Sequence, residues 1–466
     1  MSFVIYDVIF MVLFTIFAIA FIYTRKHNLQ KQGILYLYRT QLGIKFIEWT
    51  SKKYSKILRP LEYLVVASGF LLMVVAVWLI ITTVYIYLKS PFITQIVSAP
   101  PVFPIFPYFT EFFDLESLFP PFYFTYFAVV LAIIAVSHEF AHGIFARLNK
   151  VKIHSTGFAF MGPFLGAFVE QDDKQMNKAK KFSQLSILAA GTFANIIMTI
   201  LFLLIMWLFF VSTFAPAGVI FNTYALETLP VSQLSYGNSS LLDSINTIPV
   251  NNSLIPLIYK NMTYYTASLS AHQAIQANSN YIMVYENSPA FQARLSGAIT
   301  HVNGNPVRSY EELKNAILSS RPGDTLSIKT IKGREIKDYE IKLAEKNGQA
   351  YLGIGILPQQ PGKFIGFINK AITKVKSPEI YYESKIGDFG LFIYNLLWWI
   401  VILNLLVAIT NMLPVGIFDG GRFFMLSVWA MTGSRKAGER AFKISTWFIL
   451  ALIAILMLKW VFAFFS

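Results

Sequence analysis

The sequence predicts a polytopic α-helical membrane protein of about six transmembrane helices with a re-entrant hairpin, interrupted by an extracytosolic α+β domain. Three observations carry this reading. The 466-residue chain is 55% hydrophobic and only 14% charged, whereas soluble chains carry about a quarter charged residues. Several apolar stretches reach about 20 residues, the length a helix needs to cross a bilayer. Between the fourth and fifth of these, short β-branched runs alternate with turn signals, the pattern of a folded soluble domain.

The first span is Phe3–Tyr23. Asp7 stands where a signal peptide would carry positive charge, and no small-residue cleavage site follows, so a retained anchor is expected. Further spans are expected at Leu61–Leu88, Phe122–Leu148, Gln184–Phe214, Leu391–Leu413 and Thr446–Phe465. The net charge of +14 does not point to nucleic acid. Much of it sits in Arg25–Arg59 beside membrane spans, which reads as a cytosolic loop touching anionic lipid. That loop orients the chain. The N-terminus, Ser90–Pro121 and Ala215–Asp388 fall outside; Lys150–Lys181 and Arg422–Lys443 fall inside. Three N-x-Ser/Thr sequons, at Asn238, Asn251 and Asn261, all lie in the outer segment. The chain has no cysteine, which excludes disulfides, thiolate ligands and a cysteine nucleophile. Four regions follow. Residues 1–121 hold two helices with a basic loop and an outer loop. Residues 122–214 and 389–466 form two halves of a membrane core, and residues 215–388 form the outer domain.

The chemistry concentrates in the third span. His138-Glu-Phe-Ala-His142 puts two imidazoles four residues apart, on one helical face, where both can reach one zinc ion. Glu139 is turned about 100° away and can act as general base on a metal-bound water. Ionisable groups at membrane depth are costly and functional by default. Catalytic zinc takes three protein ligands, and the third is expected in Asn411-Met-Leu-Pro-Val-Gly-Ile-Phe-Asp-Gly-Gly421. There Pro414 breaks an apolar helix and presents Asp419 on irregular backbone. Glu170 is the rival ligand; its neighbours Asp172, Asp173 and Lys174 suggest a solvated loop edge instead. Gly157–Glu170 is apolar, too short to span, and punctuated by Gly162, Pro163 and Gly166, which reads as the re-entrant hairpin. Asn195 lies inside the fourth span and Asn411 ends the fifth. Each either contacts substrate or only ties helices together.

Two resemblances follow from these residues. Ser288-Pro-Ala290, Ala298-Ile-x-x-Val-Asn-Gly-x-Pro-Val307 and Pro322-Gly-Asp324 resemble a PDZ domain of the protease-associated type, with Ala298 where that family usually has Asp. Leu229-Pro-Val and Asp243–Val250 echo the same pattern, which suggests either a degenerate second unit or an irregular insertion. His-Glu-x-x-His in one span, Asn-x-x-Pro-x-x-x-x-Asp-Gly in a later one, and a PDZ-like domain between them resemble the site-2 protease family. The resemblance implies zinc at His138, His142 and Asp419, with Glu139 catalytic. It also implies cleavage of substrate helices within the membrane, usually to release a regulator. The re-entrant segment, with Gly162 and Gly166, would then pair with an unwound substrate strand, and Asn195 and Asn411 would support the reaction.

Expected partners are single-span membrane proteins and the bilayer, with a substrate C-terminus as a ligand of the PDZ-like domain, and no nucleic acid. The expected location is a prokaryotic cell membrane, with the active site toward the cytosol. Two other readings remain at this stage. An ion-conducting carrier would use the buried His and carboxylates, but only one broken helix is present and no matching half-repeat. A non-catalytic membrane-anchored binding module leaves Glu139 without a purpose.

Overall fold

Long apolar runs form helices, and among the described residues six are long and apolar enough to cross a membrane. The structure, a computed structural model, describes residues 3–33, 35–89, 99–116, 118–161, 164–333, 335–356 and 376–465. The chain divides into two units, Met1–Phe209 with Leu391–Ser466, and Phe210–Gly390. The second boundary differs by a few residues at each end from the expected 215–388.

In the first unit, α1 is Phe3–Thr24, followed by β1 (Leu29–Gln32), β2 (Leu35–Thr40), α2 (Ile44–Lys53) and α3 (Ser55–Lys89). Then come α4 (Phe124–Leu148), β3 (Ile153–Met161), β4 (Phe164–Gln171) and α5 (Lys181–Thr213). After the second unit the chain returns as α6 (Gly387–Thr410), α7 (Asp419–Thr432) and α8 (Arg435–Phe465). The helices are apolar on their outward faces as well as inward: Ile9, Leu13 and Phe17 on α1 and Leu71, Val74 and Trp78 on α3 are exposed. Helices apolar all round need lipid as their solvent.

The core between α3, α4, α5 and α7 contains Val65, Phe145, Ala189 and Phe423. Gly69 lets α3 approach closely, since a Cβ there would lie 3.0 Å from Ala189 Cβ and from the Phe423 ring. Glu62, buried in α3, accepts hydrogen bonds from Asn149 Nδ2 at 2.5 Å and Ser186 Oγ at 2.8 Å. Its charge therefore has partners at the ends of two other elements.

The basic segment Arg25–Arg59 is not the irregular loop that its composition suggests. It folds into β1, β2, α2 and the start of α3, and β2 pairs with β3 to give a sheet in the order β1-β2-β3-β4. The segment expected to form the re-entrant hairpin folds as the β3–β4 half of that sheet. Gly162 lies outside the described residues; Gly166 sits in β4 opposite Ala159.

Among its described residues the second unit holds two short two-stranded pairs and two six-stranded sheets, each six-stranded sheet with its own core. One has Glu335–Lys342, Thr325–Lys332, Ala298–Val302, Phe214–Val219 and Ile380–Ser384 side by side. It packs Ile299, Leu326, Ile328 and Leu313 of helix Tyr310–Leu318. Asn303 and Gly304 both take positive φ, 49° and 79°, as the tight turn requires. The other sheet includes Leu226–Pro230, Tyr281–Glu286, Met262–Ala267 and Leu254–Tyr259. Tyr281–Glu286 therefore lies in a different sheet from Ala298–Val302 and Thr325–Lys332. Its alternating Ile282 and Val284 are buried with Leu229, Leu257 and Tyr264 of the other core.

Candidate metal centre

The histidines lie one turn apart on α4, and both are 7% exposed. Their Nε2 atoms are 3.0 Å apart. Each is 3.3 Å from Asp419 Oδ2. Among the described residues, His138, His142 and Asp419 are the group whose ligand atoms converge in this way. A tetrahedral ion with bonds of about 2.0 Å sets its ligand atoms about 3.3 Å apart, so the triangle is of a size to hold zinc. Glu170, the rival, is not in the triangle.

The His142 tautomer fits as well. His142 Nδ1 lies 2.7 Å from the Ile187 carbonyl, which can only accept. That nitrogen therefore carries the proton and leaves Nε2 free as a ligand. His138 Nδ1 lies 3.1 Å from Nδ2 of Asn195, which is fully buried. A ring whose Nε2 holds a metal donates from Nδ1, so that state needs the Asn195 amide turned to present Oδ1, the two ends being alike in shape. Ile187, Gly191 and Asn195 recur every four residues on α5, so one face of that helix walls the site. A Cβ on Gly191 would meet His142 Nε2 and would lie 2.6 Å from His138 Nε2. Gly191, which the sequence reading did not single out, thus keeps open the space where the ligand atoms converge. The available signal was the spacing of a small residue and an Asn on one face of an apolar helix.

Asp419 owes its place to a closed loop. Met412–Gly421 turns out of α6, and Gly420 N donates to the Asn411 carbonyl at 2.8 Å. A Cβ on Gly420 would strike the Met412 and Leu413 backbone, and one on Gly421 the Val415 carbonyl. Both glycines are required by close backbone approach. Asn411 is half-buried, and its main chain closes this loop.

Glu139 points to the sheet. Its Oε2 accepts a hydrogen bond from Val169 N of β4 at 3.0 Å. Together with the three candidate ligands it lines an open cavity of about 540 Å³, which also includes Arg39, Phe168, Glu170 and Arg422. Glu170 is not a solvated loop edge. Arg39 grips it through two hydrogen bonds of 2.9 Å, and Ser155 Oγ donates at 2.5 Å. The Ser155 and Arg39 donors hold its carboxyl below the usual carboxylate range. His154, by contrast, is exposed and lies 3.3 Å from Asp172.

A family model described as peptidase family M50 matches residues 126–456. Among curated proteins, an uncharacterized protein of Methanocaldococcus jannaschii is 25% identical over 295 residues, covering 63% of this chain and 54% of that protein. The zinc metalloprotease RasP of Shouchella clausii is 23% identical over 222 residues, covering 41% of this chain and 53% of that protein. The chain thus spans about half the length of the curated relatives it matches. A PDZ domain of an SdrC-like protein from Listeria monocytogenes is 32% identical, covering 15% of this chain and 75% of that one, with a TM-score of 0.14. Its counterpart from Listeria innocua is 29% identical, covering 16% and 86%, with a TM-score of 0.15. At those scores the likeness carries no argument.

Proposed function

The chain belongs to peptidase family M50, and from that premise we propose that it is an intramembrane zinc endopeptidase of the site-2 type. It hydrolyses peptide bonds within or near the transmembrane helices of membrane-anchored substrates, in regulated intramembrane proteolysis. The observation that carries this is the convergence of His138, His142 and Asp419 to 3.0–3.3 Å inside a bundle of apolar helices. Zinc held there supplies a Lewis acid that acidifies water and polarises the scissile carbonyl.

The chain's own groups do the rest. Val169 N–H holds Glu139 Oε2, leaving Oε1 free to take a proton from the attacking water and return it to the leaving amine. The Ile187 carbonyl keeps His142 Nε2 unprotonated and aimed, and the Asn195 amide, turned to present Oδ1, does the same for His138. β4 is the edge strand of its sheet, so an unwound substrate segment adds there by main-chain hydrogen bonds, with Gly166 leaving room. Asn411 supports the substrate backbone. The basic segment Arg25–Arg59 favours a cytosolic site, with the N-terminus and the second unit outside. The second unit is proposed to act as a PDZ-like module that takes a substrate C-terminus.

Co-expression with single-span membrane proteins tests the reading. Glu139→Gln is expected to abolish cleavage while leaving zinc stoichiometric, because an amide cannot accept the proton. Cleavage by that variant at the wild-type rate would remove Glu139 from the role of base.

A further inference from the structure

We propose that Arg39, on the β-hairpin that precedes the matched family region, is a positioning residue for Glu139, and that β1–β2 is therefore part of the active site. The inference deepens the proteolytic reading and rests on it. Four observations build it.

First, the sheet carries the connection. Arg39 of β2 is opposite Gly157 of β3, which is opposite Phe168 of β4; Ser155 is opposite Glu170. Residues in one row share a face, and so do residues two apart. Arg39, Ser155, Phe168 and Glu170 therefore point to the same side, the side that lines the cavity. Second, the strands pack closely at Gly157. A Cβ there would run into the Tyr38 carbonyl and lie 2.8 Å from the Phe168 ring, so the glycine lets β2 and Phe168 close over β3, and the Arg39 guanidinium of β2 reaches Glu170 of β4. Third, the grip is a fork. Nε and Nη2 each donate to a different carboxylate oxygen at 2.9 Å, a two-point contact that fixes direction as well as distance. Fourth, the next residue holds the base. Val169 N–H donates to Glu139 Oε2 at 3.0 Å.

A shift of β4 thus moves the donor that aims the general base. Arg39 and Glu170 are each about one-third exposed, 32% and 35%, so their pairing adds little to global stability. Its consequence is local. Displacement of a catalytic group by about 1 Å costs up to roughly a hundredfold in rate, and a loosened strand end costs less.

The test uses the full chain in lipid nanodiscs. The variants are Arg39→Ala, Arg39→Lys and the charge exchange Arg39→Glu with Glu170→Arg. Amide hydrogen exchange across 164–172, zinc content, and kcat and KM are measured. The substrate is a single-span helical peptide with a fluorophore and quencher flanking its apolar segment. Arg39→Ala is expected to speed exchange in 164–172 while α4 stays protected and zinc stays bound. It is expected to lower kcat roughly tenfold, with KM within about threefold. Arg39→Lys, which keeps the charge but loses the fork, falls between. The charge exchange restores both protection and kcat at least in part. Wild-type exchange or wild-type kcat in Arg39→Ala overturns the proposal. So does a charge exchange that stays zinc-loaded and slow, which would give Arg39 and Glu170 separate roles. If Arg39→Ala fails to fold, the charge exchange alone decides. A wild type that cleaves nothing counts against the proteolytic reading, and the exchange measurement still decides whether Arg39 holds β4.

Discussion

At the scale of single residues, the centre divides into what spacing reveals and what only packing reveals. His138, Glu139 and His142 were legible because four residues make one helical turn. Asp419 was legible because Pro414 and three nearby glycines mark a break that an apolar span does not otherwise tolerate. Gly191 and Val169 were not. One contributes an absence and the other a main-chain N–H, and neither has a side-chain signature. Gly191→Ala is a sharp check, because its Cβ would meet both imidazole edges. It is expected to bind far less zinc and to lose cleavage, while nearby Ala189→Gly, at a buried packing position, keeps its metal. Zinc content measured on both purified variants settles this. The triangle makes a second claim. Asp419→Ala should lose zinc, whereas Glu170→Ala should keep it, because Glu170 is bound to Arg39 and Ser155 instead. If the zinc losses were reversed, the ligand set would be wrong.

At the scale of elements, the sequence located the six long apolar helices found among the described residues but understated what comes before the family core. Asp7 was read only as a charge unsuited to a signal peptide. In the structure it is 3% exposed. It accepts from Phe124 N and Thr125 N at 2.8 Å, and from Thr125 Oγ1 and Tyr108 OH at 2.5 Å. Phe124 and Thr125 begin α4, so a carboxylate on α1 caps the helix that bears the histidines. No local pattern announces a cap supplied from more than a hundred residues away. Asp7→Ala is expected to destabilise the fold by about 1–2 kcal/mol, the cost of losing a helix cap, read as a lower Tm in detergent. Asp7→Asn, which keeps an oxygen acceptor, should lose less. An unchanged Tm for Asp7→Ala would mean that α1 contributes nothing to α4. The hairpin β1–β2 was missed for a related reason: its basic composition matched a lipid-facing loop, while its pairing partner β3 lies far along the chain.

At the scale of the whole molecule, the candidate metal centre and the second unit occupy different parts of the chain. His138, His142 and Asp419, with Ile187, Gly191, Asn195 and Val169 around them, all belong to the first unit. The second unit has its own two cores. Its first and last described strands, Phe214–Val219 and Ile380–Ser384, pair antiparallel from Phe214↔Ser384 to Ile380↔Val219. The chain that leaves α5 and the chain that enters α6 are therefore already held side by side. Removing 222–355 and joining the ends with a short flexible linker keeps that pair, and the closure cost of the loop that remains grows only slowly with its length. The truncated chain is expected to fold, to bind one zinc, and to cleave at least some single-span substrates with Glu139 still required. Its specificity should change if the second unit acts, as proposed, as a module that takes a substrate C-terminus. Zinc content and cleavage, each measured beside Glu139→Gln in the same truncated background, check this. A truncated chain that binds zinc and cleaves no substrate accepted by the full chain would make the second unit part of the reaction. A truncated chain that loses zinc would mean that the first unit depends on the second for its fold, contrary to the separate cores described above.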